Sequence, residues 1–203
     1  MKTIIMAVKP RECENIASRN QTKLVRKVTP KPPFKVVMYE TLKRDEFIKE
    51  IDNFFASGRA ESYYISEIKS RISLSCGKVI GEFIVDEVEE LEAKYVQARQ
   101  VDTELYLKLW RLTEASGYSN PKYVREYANG KPLKFIKITD LKMYAEPKEI
   151  SDYRHYVKDC YNHIKIGDVC FGGFQETCKY AKNNRCNNII KTPPTNYIYV
   201  ADL

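Results

Sequence analysis

The chain has 203 residues, 43% hydrophobic and 30% charged, which suits one core, or one core plus a small appendage. No run approaches 18 apolar residues and no cleavable leader opens the chain, so neither a membrane span nor secretion is expected. The net charge is +7 and unevenly spread: residues 1–50 carry 12 Lys and Arg against 6 Asp and Glu, or +6, whereas residues 51–100 carry 6 against 9, or −3. A clustered basic segment suits a nucleic-acid backbone, whose neutralisation releases counterions; an ordinary solvated basic surface is the alternative.

Residues 3–8 (TIIMAV) predict a buried strand. Lys9-Pro10 closes it, and Pro10 fits the first helical position, where its missing N–H costs nothing. Cys13, Ile16 and Ala17 give the short helix an apolar stripe. A strand follows over 22–27 (TKLVRK), short or at an edge because Leu24 and Val25 face opposite ways. Thr29-Pro30-Lys31-Pro32-Pro33 is a stiff connector, and 34–41 (FKVVMYET) is a strand. Residues 44–56 form an amphipathic helix with Phe47, Ile48, Ile51, Phe54 and Phe55 on one face, stopped by Gly58.

Gly77 opens the next strand (KVIGEFIVDEV), with Val79, Phe83 and Val85 on one face. Gly81 inside it predicts a bulge or a close backbone approach. The acidic run Glu87, Glu89, Glu90 and Glu92 reads as a solvated loop or helix start. Residues 101–115 are helical with Leu105, Leu109, Trp110 and Leu112 inward. Asn120-Pro121 caps and starts a second helix, which Asn129-Gly130 ends. Residues 133–144 make one or two strands, with Phe135, Ile136, Ile138, Leu141 and Met143 as core candidates and Pro147 closing the unit. Residues 197–201 (YIYVA) form a last strand. Short strands with interspersed helices favour an α+β fold around a small mixed β-barrel.

The candidate binding residues sit on the first return of the chain: Lys9, Arg19, Gln21, Lys23, Arg26 and Lys27. The Arg26 fork suits a phosphate or a guanine edge, or else a buried ion pair with a carboxylate of the GEFIVDEV strand. Lys9 and Lys23 suit phosphates or plain solvent, and Gln21 a base edge or the surface. Tyr63, Tyr64 and Tyr118, in loop-like stretches, offer stacking surfaces for unpaired bases, while most other tyrosines are assigned to half-buried core.

A second constellation lies near the end: Cys160-x-x-His163, then Cys170, Cys178 and Cys186. The segment between them is too polar to fold on its own core, and structural zinc takes four Cys or His ligands. Zinc is therefore expected, with five candidates for four places; free thiols or a disulfide are the alternatives. Cys13 and Cys76 are assigned to the core.

These segments, in this order, resemble the ASCH-domain family of the PUA-like superfamily, particularly its longer phage and prophage members. Family members open with a strand, Lys-Pro, a helix and a Gly-x-Lys-x-x-Glu-x-Arg segment. Here Lys9-Pro10 is followed by Arg19-Asn20-Gln21-Thr22-Lys23-Leu24-Val25-Arg26-Lys27. GKVIGEFIVDEV, ITDLKMYAEPKEISDY and TPPTNYIYV are similar to its later segments. The resemblance implies a PUA-like core over 1–150 with a helical insertion at about 100–130. The Cys/His-rich stretch then reads as an insertion over 151–192 ahead of a final core strand over 193–203, and the resemblance implies a cleft beside the Lys-Pro helix.

Relatives bind RNA or modified bases there, and some hydrolyse acetylated cytidine with a lysine and a threonine of that segment and a glutamate. Here Arg19, Gln21 and Leu24 replace the family's glycine, its lysine and its acid or threonine. An amide neither attacks nor carries protons. The leading expectation is thus a binding module for RNA, another nucleic acid or a modified nucleoside. A hydrolase acting on a modified nucleoside or RNA, and a phage-encoded protein that modulates a host protein, are the alternatives. The setting implied is the cytoplasm of a bacterial host.

Overall fold

The computed structural model describes residues 1–41, 74–96, 103–155 and 190–201, with the short stretches 48–49, 52–53, 56, 69–70, 181–182 and 185–186. In chain order it contains β1 (Lys2–Val8), α1 (Pro10–Ala17), β2 (Lys23–Arg26), β3 (Phe34–Glu40), β4 (Val79–Val85) and β5 (Val88–Leu91). There follow α2 (Ala93–Val96), α3 (Thr103–Ala115), α4 (Pro121–Ala128), β6 (Leu133–Lys137), β7 (Thr139–Lys148), the two-residue strands β8 (Ala181–Lys182) and β9 (Arg185–Cys186), and β10 (Tyr197–Val200). Most of the helix expected over 44–56 lies outside the described residues. Among the described residues no helix is long and apolar enough to cross a membrane.

The fold is α+β. A five-stranded sheet runs β10-β1-β3-β4-β7, with β1 and β3 parallel and the other pairs antiparallel. A three-stranded antiparallel sheet runs β2-β6-β5, and β8 pairs with β9. The chain turns directly from one larger sheet into the other between β4 and β5 and between β6 and β7, where only Ile138 intervenes. The expected barrel does not close among the described residues. Between β1 and β2 the chain passes through α1, and the link observed there is the Arg26 side chain on the Ala7 carbonyl rather than a backbone ladder.

Alternation along the strands divides the apolar residues among three clusters. Ile4, Met6 and Val8 meet Leu24, Phe83 and Ile136 between the sheets and against Cys13 and Ile16 of α1. Ile5, Val37, Val79 and Val200 form a cluster on the other face of the five-stranded sheet. Val25, Leu91 and Phe135 face Leu109, Leu112, Val124 and Ala128 of α3 and α4. TIIMAV is apolar throughout because both of its faces are covered, and each large side chain so buried contributes about 1.5–3 kcal/mol. The neighbours Leu24 and Val25 enter different clusters, so an edge strand is buried on both faces.

Five local expectations need correction. Val79 does not share a face with Phe83 and Val85: the register slips at Gly81 and turns Ile80 inward in its place. Gly81 also meets the expected close approach, since a Cβ there would lie 2.7 Å from the Lys142 carbonyl oxygen. Glu89 and Glu90 of the acidic run lie in strand β5 rather than a loop, and find Lys23 and Lys134 across the sheet. Pro147 lies inside β7, which tolerates it as an edge strand. Trp110 is 40% exposed, since only Leu109, Leu112 and Thr113 of α3 lie in its buried face. Cys13 is core as expected, but Cys76 is half-buried with its thiol 3.7 Å from Glu40 Oε1.

Candidate nucleic-acid interface

The site begins at the junction of β1 and α1. Pro10 starts the helix, and Glu12 at its third position turns back to accept the Lys9 backbone N–H at 3.4 Å. The same carboxylate receives both arms of Arg26, Nη1 to Oε1 at 3.3 Å and Nη2 to Oε2 at 3.4 Å. Arg26 also donates to the Val25 carbonyl at 2.7 Å and the Ala7 carbonyl at 2.9 Å. The guanidinium thereby ties β1, α1 and β2 together. The side chains of Arg26 and Glu12 are 11% and 10% exposed. Burial works against the charge on Arg26, but Glu12 holds its pKa above the ordinary arginine value.

This pair forms the floor of a cleft of about 410 Å³. One wall is aromatic. Val124 and Ala128 of α4 face the core, so Tyr123 and Tyr127, one turn apart, fall on the flank toward the cleft. They are 56% and 41% exposed. The Asn120 side chain accepts the Lys122 N–H at 2.8 Å and Asn129 takes the left-handed cap, which together fix the helix. Tyr118 adds a third ring, its centroid 6.3 Å from that of Tyr123 with 27° between planes. The Lys27 ammonium sits 5.1 Å from the Tyr127 ring centre. Burial and the Glu12 charge push the Tyr118 phenol up to about 12, and burial raises Tyr127 although Arg26 pulls it back. Both remain neutral hydroxyls at physiological pH.

The other wall carries Lys9, Thr41, Thr195 and Asn196. Parallel pairing sets Val8 beside Glu40, and the Thr41 N–H donates to the Val8 carbonyl at 2.9 Å. Antiparallel pairing of β10 with β1 brings Asn196 alongside, where its carbonyl accepts the Ala7 N–H at 3.2 Å. The cleft can thus offer stacking rings, exposed ammonium groups at Lys9 and Lys27, and hydrogen-bonding side chains within one ligand's reach.

The six sequence candidates do not all gather here. Lys9 and Arg26 line the cleft and Lys27 flanks it, but Lys23 is bonded to Glu89 at 2.8 Å. Gln21 is buried at 2% exposure, with Nε2 donating to the Lys23 carbonyl at 3.0 Å, so it is not the expected surface amide. Arg19 and Gln21 line a second depression of about 330 Å³ with Asp140, toward the far end of α1. Arg19 holds φ of 61°, a left-handed conformation that favours glycine. The carboxylate partner of Arg26 is Glu12, not one of the GEFIVDEV strand, because the first turn of α1 lies nearer.

Cys160, His163, Cys170, Cys178 and the side chain of Cys186 lie outside the described residues, as do Tyr63 and Tyr64. Among the described residues no group of three His, Cys, Asp or Glu could hold a metal. Sequence reasoning missed Glu12, Tyr123, Tyr127, Thr195 and Asn196. The i, i+4 spacing of Tyr123 and Tyr127 beside inward Val124 and Ala128 was the available signal for the aromatic wall.

No known protein-family profile matches the sequence, and no curated protein matches it. Solved structures do match. The crystal structure of ASCH from Zymomonas mobilis superposes with a TM-score of 0.50 at 13% identity, covering 98% of this chain and 88% of that one. A tyrosine-to-phenylalanine mutant of the Zymomonas mobilis protein gives 0.50 at 11% identity over 99% and 91%. A serine-to-alanine mutant gives 0.50 at 11% over 98% and 89%. A likeness that runs almost the whole length of both chains, joined to the Lys9-Pro10 helix and the bulged Gly81 strand, shows that this chain adopts the ASCH-domain fold.

Proposed function

We propose that the protein is a nucleic-acid-binding module, with single-stranded RNA as its ligand in the cleft between α4 and the β1–α1 junction. The observation that carries this reading is the convergence of Tyr118, Tyr123 and Tyr127 on Lys9 and Lys27 around one opening. Bases stack on aromatic faces irrespective of sequence while ammonium groups follow the phosphates. The ASCH fold supports it, since the resemblance implies RNA or modified-base binding. Binding is favoured over hydrolysis because the position of the family lysine holds the buried amide of Gln21. The Glu12 carboxylate is also committed to Arg26, which leaves no free proton carrier among the described floor residues.

Fluorescence anisotropy with a labelled ten-nucleotide single strand tests the reading. Tyr123→Ala and Tyr127→Ala are each expected to weaken binding about 5- to 150-fold, from ~1–3 kcal/mol per stacked base. Lys9→Ala should lower the slope of log affinity against log salt by roughly one unit times 0.7, the single-strand counterion term. Absence of affinity for any RNA or single-stranded DNA at low salt would sink the proposal.

A further inference from the structure

After β7 the chain returns to the outer edge of β10. His155 bridges Val200 in antiparallel fashion, and the Ala201 N–H donates to the Arg154 carbonyl at 3.1 Å. On the other side of β10, Thr3 of β1 is also paired with Val200. Thr3, Val200 and His155 therefore form one cross-strand row. The row one step along is Lys2, Ala201 and Arg154, on the opposite face. Two basic residues thus stand on either side of an alanine, with only its methyl group between them. Tyr199 shares that face, and the Lys2 ammonium lies 5.8 Å from its ring centre. Arg154 is 8% exposed, yet its Nε and Nη1 are buried with no hydrogen-bond partner among the described residues. A guanidinium is a permanent cation, and a buried one without a counter-charge is strongly destabilising. Buried polar groups are otherwise satisfied by protein atoms, water or a bound ion. Water would pair the N–H groups but leave the charge unanswered, so an anion is the partner that meets both needs.

We infer that Arg154 and Lys2 hold a small oxyanion of the phosphate class at this edge of the five-stranded sheet. A guanidinium presents parallel N–H donors that match two oxygens of one phosphate, and the ammonium adds a second positive charge. Two cations match the divalent charge of phosphate better than the single charge of a carboxylate. Residues 2 and 154 stand two strand spacings apart, about 10 Å at the backbone, a span that lysine and arginine side chains can close around one ion. The ligand is a small ion rather than a nucleic-acid backbone, because an arginine so little exposed offers no open track for a polymer. The site also lies at the opposite end of β1 from Ala7 and Lys9, which separates it from the cleft.

The test is thermal unfolding of the full chain with inorganic phosphate, against acetate at matched ionic strength, together with calorimetric titration of phosphate. The wild-type midpoint should rise with the logarithm of phosphate concentration and stay level in acetate. Lys2→Met should weaken phosphate about tenfold while folding normally, since Lys2 is exposed. Arg154→Met should abolish the phosphate shift and, without phosphate, melt no lower than the wild type, because it removes an uncompensated buried charge. Both variants should bind a labelled ten-nucleotide RNA as the wild type does. An absent phosphate shift, an equal shift in acetate, or an undiminished phosphate affinity in Lys2→Met overturns the inference. So does a marked fall in the phosphate-free midpoint of Arg154→Met, which would mean that the guanidinium has a partner within the chain. Loss of RNA affinity in step with phosphate affinity would assign the ion to a nucleic-acid strand and overturn the small-ion reading.

Discussion

Arg26 is the residue at which a sequence reading and a structural one predict different experiments. Truncating it to alanine removes four hydrogen bonds and leaves the Glu12 carboxylate, 10% exposed, without its counter-charge. Removing one partner of a buried pair costs about 3–5 kcal/mol. For a chain of this length that is a fall in unfolding midpoint of roughly 6–20 °C, at ~2–4 °C per kcal/mol. Glu12→Ala should cost less, since Arg26 keeps the Ala7 and Val25 carbonyls. The double variant should be less destabilised than the sum of the two, by about 1–3 kcal/mol. Urea unfolding of the four chains, with the denaturant slope checked for constancy, measures this cycle. If Arg26→Ala unfolds within about 1 kcal/mol of the wild type, below the range for a broken buried pair, yet loses RNA affinity, then Arg26 is a ligand contact. The strut described here would then be wrong. With the strut intact, loss of binding by Arg26→Ala alone carries no information about contact, which is why Lys9, Tyr123 and Tyr127 are the positions to vary for function.

Three further outcomes are expected. Arg19→Gly should stabilise the chain, because a non-glycine residue at φ of 61° costs about 1–2 kcal/mol while glycine gives back roughly 0.5–1 kcal/mol in unfolded-state entropy; a loss of stability on urea unfolding would show that the Arg19 side chain holds the turn. Burial raises the Glu40 carboxyl above its usual range, against hydrogen bonds from Ser75 and Cys76. The folded state therefore keeps that proton to higher pH than the unfolded chain, and stability falls as pH rises from the usual carboxylate range through the folded pKa. Glu40→Gln should remove this fall and raise the melting midpoint at pH 7, whereas an unchanged pH profile would refute it. Purified protein is expected to carry about one zinc, as one four-ligand structural site would, and Cys178→Ser to remove it; a zinc-free chain with ordinary thermal stability would dispose of the expectation drawn from Cys160-x-x-His163 and its neighbours.

What the sequence made legible was local. Pro10 at the head of α1, Asn120 and Asn129 at the ends of α4, and Gly81 at a backbone contact each follow from a constraint acting within a few residues. The cleft was legible only in part, because it is assembled from the ends of β1 and β2, the start of β10, one flank of α4 and Thr41. Nothing in TPPTNYIYV says that Asn196 will lie beside Ala7; the antiparallel β10–β1 pairing decides that. Tyr123 and Tyr127 were passed over because aromatic residues at helical spacing usually pack inward, and here Val124 and Ala128 already fill the inward face.

The charge pattern shows why a clustered sequence need not make a clustered surface. Part of the +6 excess in residues 1–50 faces part of the −3 deficit in residues 51–100 within the sheets. Lys23 meets Glu89 at 2.8 Å and Lys35 meets Glu82 at 3.2 Å, two basic strand residues answered from the acidic block. Lys137 meets Glu87 at 3.1 Å from a third block. Such half-exposed pairs contribute little stability, about 0–1 kcal/mol each, but they remove lysines from the count available to a phosphate backbone. Of the six candidates on the first return, Lys23 and Arg26 are spent on carboxylates, Gln21 is buried and Arg19 lies at the second depression. Affinity for RNA in the cleft must then lean on Lys9 and Lys27 for charge and on the tyrosine wall for the rest. The salt dependence of binding should accordingly be shallow for a chain of net charge +7, with about two phosphate contacts' worth of slope. A slope several times steeper would mean that the strand is held on a different, more basic face.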